Sequence, residues 1–485
     1  MKLSYLLQPW APLLSQDCEI MGIQNDSRHV KPGDLFIAYP GAVTDGRHYL
    51  SSASEQGACA IVYEPNQWPE HVVLPHSIPC HPIENLASQL AALASRFYAE
   101  PSQSLSVMGV TGTNGKTTIA YQLAQAHHLL GRPSAYIGTL GEGCLPDLTP
   151  LNNTTPDALC LQRLFSEYQH KGLQQVCMEV SSHALSEHRV DEIMFREAIY
   201  TNLSHEHLDY HETMASYANA KALLFGKSSL QWVILNQDDD HVQTMADAVP
   251  KTVQQFRYGL HHTSDVRASD CKLYIHGSQF LVDSPWGQQE LRIPSLGLFN
   301  IYNSLAVYTS LLANGYSMTD VVAIMAKLHA SPGRMEVVSQ KPYVIVDYAH
   351  TPAALENVLK TVVQLKSHQH SKIWVVFGCG GDRDKTKRPL MGRIAGELAQ
   401  ELVLTNDNPR HEDPQTIIQD IQTGISAGTK VTVLLDRHTA IQFALQSADQ
   451  EDIVVIAGKG HENYQIIGSE RLVFSDQTEV RRVLG

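Results

Sequence analysis

The 485-residue chain has no run of about 18 consecutive apolar residues, the minimum for a helix that crosses a bilayer. Nor does it open on a secretory signal: the stretch after Met1-Lys2 is short and is broken by Gln8, Pro9 and Pro12. A soluble, cytoplasmic protein is expected. Positive charge is scarce, with 36 Lys and Arg against 50 Asp and Glu and a formal net charge of -14. General binding to nucleic acid or a membrane surface, which needs a basic face, is therefore not expected, and local Lys, Arg and backbone N–H groups must meet any phosphate ligand. The eight cysteines include no Cys-x-x-Cys pair and no small-domain framework, so reduced thiols packed in apolar surroundings are expected. Internal repeats and low-complexity tracts are absent.

What the chain does have is strand and helix alternation. Its length exceeds what one core serves and suggests about three domains of ~150 residues. Residues 1–99 mix short strands, Asp34–Ala38 and Ala58–Tyr63, with a helix that stops before Pro101. A strand, loop, helix rhythm follows over 100–332, with strands at 105–110, 175–180, 197–203 and 232–236. A second alternation fills 333–485, with strands at 343–347, 373–377, 401–405, 431–435 and 452–457. An α/β fold of three domains is expected: a small α/β domain, a central domain with a parallel sheet, and a doubly wound C-terminal domain.

The strongest local signal is Gly109-Val110-Thr111-Gly112-Thr113-Asn114-Gly115-Lys116-Thr117-Thr118 between an apolar strand and a helix. Glycine turns let backbone N–H groups converge on phosphate, Lys116 reaches outer phosphate oxygens, and the Thr117 hydroxyl suits Mg²⁺. Val110 stands where the generic phosphate-loop pattern has Gly. ATP and Mg²⁺ are the expected ligands, bound through Gly112, Thr113, Asn114, Gly115, Lys116, Thr117 and Thr118.

Glu179, at the end of the next strand, suits a Mg²⁺ ligand; its plain alternative is a carboxylate facing water. The run His205-Glu206-His207-Leu208-Asp209-Tyr210-His211 suggests zinc hydrolysis, but Tyr210 stands where the last His is needed and His211 is displaced by one. His207 remains a candidate for a second Mg²⁺. Lys221, on an apparent helix, reads from the residues alone as a solvated lysine. Strand ends in the last domain carry Arg383, in Gly378 to Lys385, and Asp407-Asn408-Pro409-Arg410. Two arginines there suit carboxylates, while Asp407 and Asn408 suit an ammonium, a set matched to a zwitterionic amino acid or, more plainly, to loop salt bridges. Gly458-Lys459-Gly460-His461-Glu462 closes the last strand on the same side.

Together these motifs, with Glu179 to His183, Asn202 to His211, Pro332 to Glu336, Asp347 to His350 and Gly378 to Arg388, resemble the Mur ligases along essentially the whole chain. The resemblance implies an ATP-driven amide ligase of peptidoglycan synthesis, with a UDP-sugar-binding domain, a central ATPase and a Rossmann-like domain that brings the amino acid. It implies that the γ-phosphoryl group of ATP passes to a D-glutamate γ-carboxylate and that an amine captures the acyl phosphate. Lys221 becomes, by resemblance only, a carbamylated lysine that joins Glu179, His207 and Thr117 around metal, with Asn300, Arg334 and Asp347 near the nucleotide. The same resemblance assigns the UDP-muramyl dipeptide to Asn25, Ser27, Ala42, Val43, Thr44, Asn153, Thr154, Thr155, Ser181, Glu187 and Arg189. Glu187 stands where related sequences often carry Gln. Members with Asp-Asn-Pro-Arg are similar to those that take meso-diaminopimelate, here through Arg383, Asp407, Asn408, Pro409, Arg410, Gly458 and Glu462. An L-lysine-adding or folylpolyglutamate-synthetase-like ligase, a non-catalytic nucleotide-binding protein and, remotely, a zinc hydrolase are the alternatives; a monomer is expected.

Overall fold

The computed structural model describes every residue except 12, 13, 15, 42, 43 and 367–369. The chain divides into two compact units, Met1–Arg257 and Tyr258–Gly485.

The first unit begins with a four-stranded parallel sheet in the order β1 (Gly22–Gln24), β2 (Asp34–Ala38), β3 (Ala60–Tyr63), β4 (Cys80–Pro82). All five residues of β2 are buried: the apolar run Leu35 to Ala38, and Asp34, whose carboxylate accepts from Lys31 N. Helix Leu86–Phe97 covers the sheet with Leu86, Leu90, Leu93 and Ala94. It ends where Ala99 and Glu100 both turn to positive φ ahead of Pro101.

The larger sheet of this unit contains β5 (Ser106–Thr111), β6 (Ser134–Gly138), β7 (Gly141–Gly143), β8 (Gln175–Glu179), β9 (Phe195–Tyr200) and β10 (Trp232–Asn236), in the order β10-β9-β5-β8-β6-β7. Only the edge strand β7 runs antiparallel. From β5 the chain fills one side through β6 and β8 and then crosses to β9 and β10. The carboxyl ends of β5 and β9 therefore bound the crevice where such sheets bind ligands. Helix Lys116–Leu129 follows β5 directly. The unit boundary falls within β11 (Gln254–Gly259).

The second unit opens with an antiparallel β12 (Val266–Tyr274), β13 (Gly277–Ser284) and β14 (Gly287–Ile293), followed by helices Leu298–Ala313 and Met318–Met325. These two hairpins were not foreseen from the strand and helix rhythm of the chain. A further sheet holds β15 (Glu336–Gln340), β16 (Tyr343–Asp347), β17 (Ile373–Phe377), β18 (Glu401–Leu404), β19 (Lys430–Val433) and β20 (Ile453–Ala457), ordered β15-β16-β20-β17-β18-β19. All its pairs are parallel except β15 with β16, and apolar layers cover both faces. A hairpin of β21 (Tyr464–Ile467) and β22 (Glu470–Val473) lies beyond it.

All eight cysteines are free thiols, but only Cys177 and Cys379 are buried; Cys18, Cys59, Cys80, Cys160 and Cys271 are half-buried and Cys144 is exposed, which corrects the expectation of burial for each. Among the described residues no helix is long and apolar enough to cross a membrane.

Candidate active site

The turn after β5 is clamped from β9. Thr113 N–H donates to Asn202 O (2.7 Å), Asn114 N–H to Asn202 Oδ1 (3.0 Å), and Asn202 Nδ2 returns a bond to Asn114 O (3.1 Å). Gly112 sits at φ +148, and a Cβ there would collide with Thr201 Oγ1, so only glycine lets the loop approach β9 this closely. Asn202 opens the Asn202 to His211 motif but had no role of its own there; it lies two residues past the end of β9.

Lys116 Nζ donates to Gly112 O and Thr113 O, both at 2.8 Å. Lys221 Nζ reaches the same Gly112 O at 2.9 Å from helix Met214–Ala222. Lys221 is 1% exposed, which corrects the solvated reading: it is a buried amine against the phosphate loop. Burial, followed by the positive charge of Lys116, pushes its pKa well below the ordinary lysine value.

Glu179 is fully buried, so the reading of a carboxylate facing water is also corrected. Its Oε1 accepts from Tyr136 Oη (2.6 Å) and Thr139 N (2.8 Å), and its Oε2 from Thr117 Oγ1 (2.9 Å) and Thr139 Oγ1 (3.3 Å). A buried carboxylate bonded to the hydroxyl of the phosphate-loop threonine is a pair of hard oxygen donors that fits Mg²⁺, which takes few protein ligands beside phosphate and water. His207 caps the short helix Leu208–His211 at φ +59. Burial first, then the positive fields of His183, Lys116 and Lys221, lower its pKa to about 4, which keeps the imidazole neutral, as metal ligation requires. Among the described residues no three His, Cys, Asp or Glu side chains gather as a metal cluster, so the histidine run builds no zinc centre.

The residues assigned to the dipeptide lie along the same edge. Thr154 Oγ1 meets Thr139 Oγ1 at 3.1 Å, linking that segment to Glu179. Thr155 Oγ1 donates to Glu179 O (2.9 Å) and accepts from Ser181 N (3.0 Å), while Asn153 is exposed. Arg189 donates to Thr155 O (2.9 Å) and pairs with Glu187. In the smaller sheet's loops, Asn25 Nδ2 donates to Tyr39 Oη (3.3 Å), Ser27 starts the turn Ser27–His29, and Thr44 O accepts from Gly41 N. Ala42 and Val43 lie outside the described residues. Tyr39, missed from sequence, joins the groups: its hydroxyl feels the charges of Asp157, Arg189 and Glu187.

In the second unit Asp347, at the end of β16, accepts from Met335 N and Ala349 N, each at 2.7 Å. Burial raises its pKa against the opposing pull of Arg334 and these two donors. The Arg334 guanidinium lies 4.5 Å over the Tyr348 ring, with its buried Nε lacking a hydrogen-bond partner. Asn300 is buried at the start of its helix and is bonded to Leu296 O and Asn303.

The strand-end motifs of the last sheet converge. Asp407, Asn408 and Pro409 are buried beyond β18, and Arg410 Nη1 donates to Gly381 O (2.9 Å). Gly458 carries φ +114, and a Cβ there would stand 2.5 Å from Asp407 Oδ2. Gly458→Ala is therefore expected to cost about 1–3 kcal/mol of stability through backbone strain and displacement of Asp407, read by denaturant unfolding; an unchanged midpoint would rule out the close approach. Asn408 does not stand ready for an ammonium as the sequence suggested: Nδ2 donates to Glu462 Oε2 (2.9 Å) and Oδ1 accepts from Lys459 Nζ (3.1 Å) and Ile466 N (2.9 Å). Arg383 is exposed and bonded to Asp382 O. Arg388, absent from the sequence-derived set, is fully buried and ties Glu412 (3.0 and 3.1 Å) and Asp420 (2.9 Å) to Gly380 O. Its hydrogen bonds chiefly hold Glu412 down to about 2, fixing the loop that precedes Arg383.

Family models match three segments: "Mur ligase family, catalytic domain" at 19–98, "Mur ligase middle domain" at 110–311 and "Mur ligase, glutamate ligase domain" at 333–460. A protein of Haemophilus influenzae (strain 86-028NP) named UDP-N-acetylmuramoyl-L-alanyl-D-glutamate--2,6-diaminopimelate ligase is 42% identical over 475 residues, covering 96% of both chains. A protein of the same name from Coxiella burnetii is 42% identical over 494 residues, 99% of both. A solved structure of such a ligase superposes with a TM-score of 0.73 at 36% identity, over 100% of this chain and 99% of the other. With a three-domain α/β architecture, a clamped phosphate loop and relatives matched from end to end, the chain belongs to the Mur ligase family.

Proposed function

We propose that the protein is an ATP-dependent ligase that joins meso-2,6-diaminopimelate to the D-glutamate γ-carboxylate of UDP-N-acetylmuramoyl-L-alanyl-D-glutamate. The observation that carries this reading is Asp407-Asn408-Pro409-Arg410 at the end of a buried strand, in a chain 42% identical over nearly its whole length to ligases named for diaminopimelate. Lysine has no second carboxylate for the half-buried Arg410 guanidinium, so that charge would go without its partner, which disfavours the L-lysine alternative. A folylpolyglutamate-type ligase has no use for a UDP-sugar-binding segment, and residues 19–98 match a Mur ligase model.

The chemistry balances in two steps. A γ-carboxylate oxygen attacks the γ-phosphorus of ATP and the bond to the β-phosphate oxygen breaks, releasing ADP. The amine then attacks the acyl carbon, loses a proton and expels phosphate, which leaves with one former carboxylate oxygen. Backbone N–H groups of Gly115 to Thr118, at the start of the helix, and the Lys116 ammonium bind the phosphates. Thr155, Ser181 and Arg189 orient the dipeptide beside Glu179. Thr117 and Glu179, with His207 and a carbamylated Lys221, would hold Mg²⁺, which neutralises charge on the phosphoryl group in flight. Residues 1–99, 100–332 and 333–485 divide the work as UDP-sugar, ATP and amino-acid domains. ATP and a UDP-linked precursor are cytoplasmic metabolites, so we place the reaction in the cytoplasm.

The test is an omit-one-substrate assay: ADP release continuing beyond a single turnover is expected only when the UDP-muramyl dipeptide, meso-diaminopimelate, ATP and Mg²⁺ are all present. Equal ADP release without an amino acid, or none with the full set, would overturn the reading. Glu179→Gln keeps the shape and removes the charge, so half-maximal activity should need about 10–100-fold more Mg²⁺. An unchanged Mg²⁺ titration would discharge Glu179 from that role.

A further inference from the structure

Lys459 is not among the residues assigned to the amino acid, yet its side chain is fully buried among them. An ammonium in that position is tolerable only with its three N–H groups engaged. Nζ donates to Glu462 Oε2 at 2.9 Å and Asn408 Oδ1 at 3.1 Å, and it lies 5.5 Å from the centre of the Tyr464 ring.

These contacts have two consequences for the pocket. An ammonium has no acceptor, so Lys459 fixes which way the Asn408 amide faces: the oxygen turns to Lys459 and Ile466 N, and the NH₂ to Glu462. Glu462 then has both of its protein donors on Oε2, leaving Oε1 as the oxygen available to a ligand among the described residues. Asp407 supplies a second carboxylate nearby: Asp407 and Glu462 both act on Tyr348, Tyr464 and Arg437 through their charges.

The second consequence is electrostatic. Asp407 and Glu462 are set against Lys459 and Arg410, with Arg334 and Arg471 on the rings of Tyr348 and Tyr464, so carboxylates do not outnumber cations around the pocket. That suits the far end of diaminopimelate, which carries an ammonium and a carboxylate together. The far end of lysine carries an ammonium alone, and such a group gains most where carboxylates outnumber cations. We propose that Lys459 is a positioning and specificity residue that orients Asn408 and Glu462 and, by its charge, favours a zwitterionic amino-acid terminus over a lone ammonium. This inference rests on the ligase reading above.

Lys459→Gln retains a donor and removes the charge. Varying each substrate in turn, the KM for meso-diaminopimelate is expected to rise about tenfold or more while those for ATP and the UDP-muramyl dipeptide stay within about twofold. The ratio of kcat/KM for meso-diaminopimelate over L-lysine is expected to fall about tenfold. An unchanged ratio, or an equal loss toward all three substrates together with a lowered melting temperature, assigns Lys459 to the fold alone and overturns the proposal. Should Lys459→Gln fail to fold, Lys459→Arg takes its place: retention of the diaminopimelate preference within about threefold is expected, because the cation persists, and collapse of the preference contradicts the charge argument. Parallel wild-type assays separate the two ideas, since a wild-type protein that turns over neither amino acid sinks the ligase reading, whereas an active wild type with an indifferent Lys459 variant sinks only this one.

Discussion

Lys221→Met is expected to lower kcat by about 10²–10³-fold, the usual scale for removing one preorganised electrostatic group, in a protein that melts no lower than its parent. The two halves of that expectation have one cause. Lys221 and Lys116 both bond Gly112 O, and Lys221 does so with 1% exposure. Two ammonium groups on one carbonyl oxygen repel, and burial favours the neutral amine. A neutral amine can add CO₂, forming a carbamate and releasing a proton, and on the proposed reading that carboxylate would compensate Lys116 and offer oxygen to Mg²⁺. Methionine keeps the volume and removes a poorly solvated nitrogen, so stability is preserved while this chemistry is lost. Activity in CO₂-depleted buffer should decline and return with bicarbonate in the wild type only. In CO₂-free, Mg²⁺-free buffer the native state binds fewer protons at Lys221 than the unfolded chain between its lowered pKa and 10.5, so stability should rise with pH across that window. Lys221→Met should flatten that rise. Full turnover in the variant would remove Lys221 from the machinery.

Arg410→Lys is expected to raise the KM for meso-diaminopimelate about 100-fold with the KM for ATP nearly unchanged, as measured by initial rates with each substrate varied. Arg410 sits at φ +52, its N–H donates to Ile466 O (3.1 Å) and its carbonyl accepts from Gly468 N (2.7 Å), so the backbone is held from the β21–β22 hairpin. Nη1 is committed to Gly381 O, with a longer bond to Asn408 O at 3.4 Å, which anchors one arm of the fork and leaves the other arm for a carboxylate. A lysine ammonium has no rigid fork with which to do both. Wild-type kinetics for Arg410→Lys would discard the carboxylate clamp.

The residues that were legible in the sequence are those whose chemistry is local. The phosphate loop announces itself because an apolar strand, a glycine turn and a helix follow one another within some twenty residues, and Asp407 to Arg410 is a strand-end tetrapeptide. Lys221 was illegible without the family resemblance: its burial depends on Gly112, 109 positions away. Asn202 and Lys459 lay inside motifs that were read without a role for either, and Tyr39 was missed, since each meets its partner on another segment. Hairpins β12–β14 were missed because a register shift between Ser269 and Lys272 breaks the alternation and many of the outward residues are polar. Asn408 shows the reverse: its type suggested direct recognition, and what the sequence could not show is that its amide is bonded to Glu462, Lys459 and Ile466 N.

The most direct test follows oxygen. UDP-N-acetylmuramoyl-L-alanyl-D-glutamate labelled with ¹⁸O at both oxygens of the γ-carboxylate is incubated with the protein, ATP, Mg²⁺ and meso-diaminopimelate, and the products are weighed by mass spectrometry. The account predicts the diaminopimelate-extended UDP-muramyl peptide and, for each one formed, a phosphate carrying a single ¹⁸O atom. Absence of that peptide, or its formation alongside unlabelled phosphate, would contradict it.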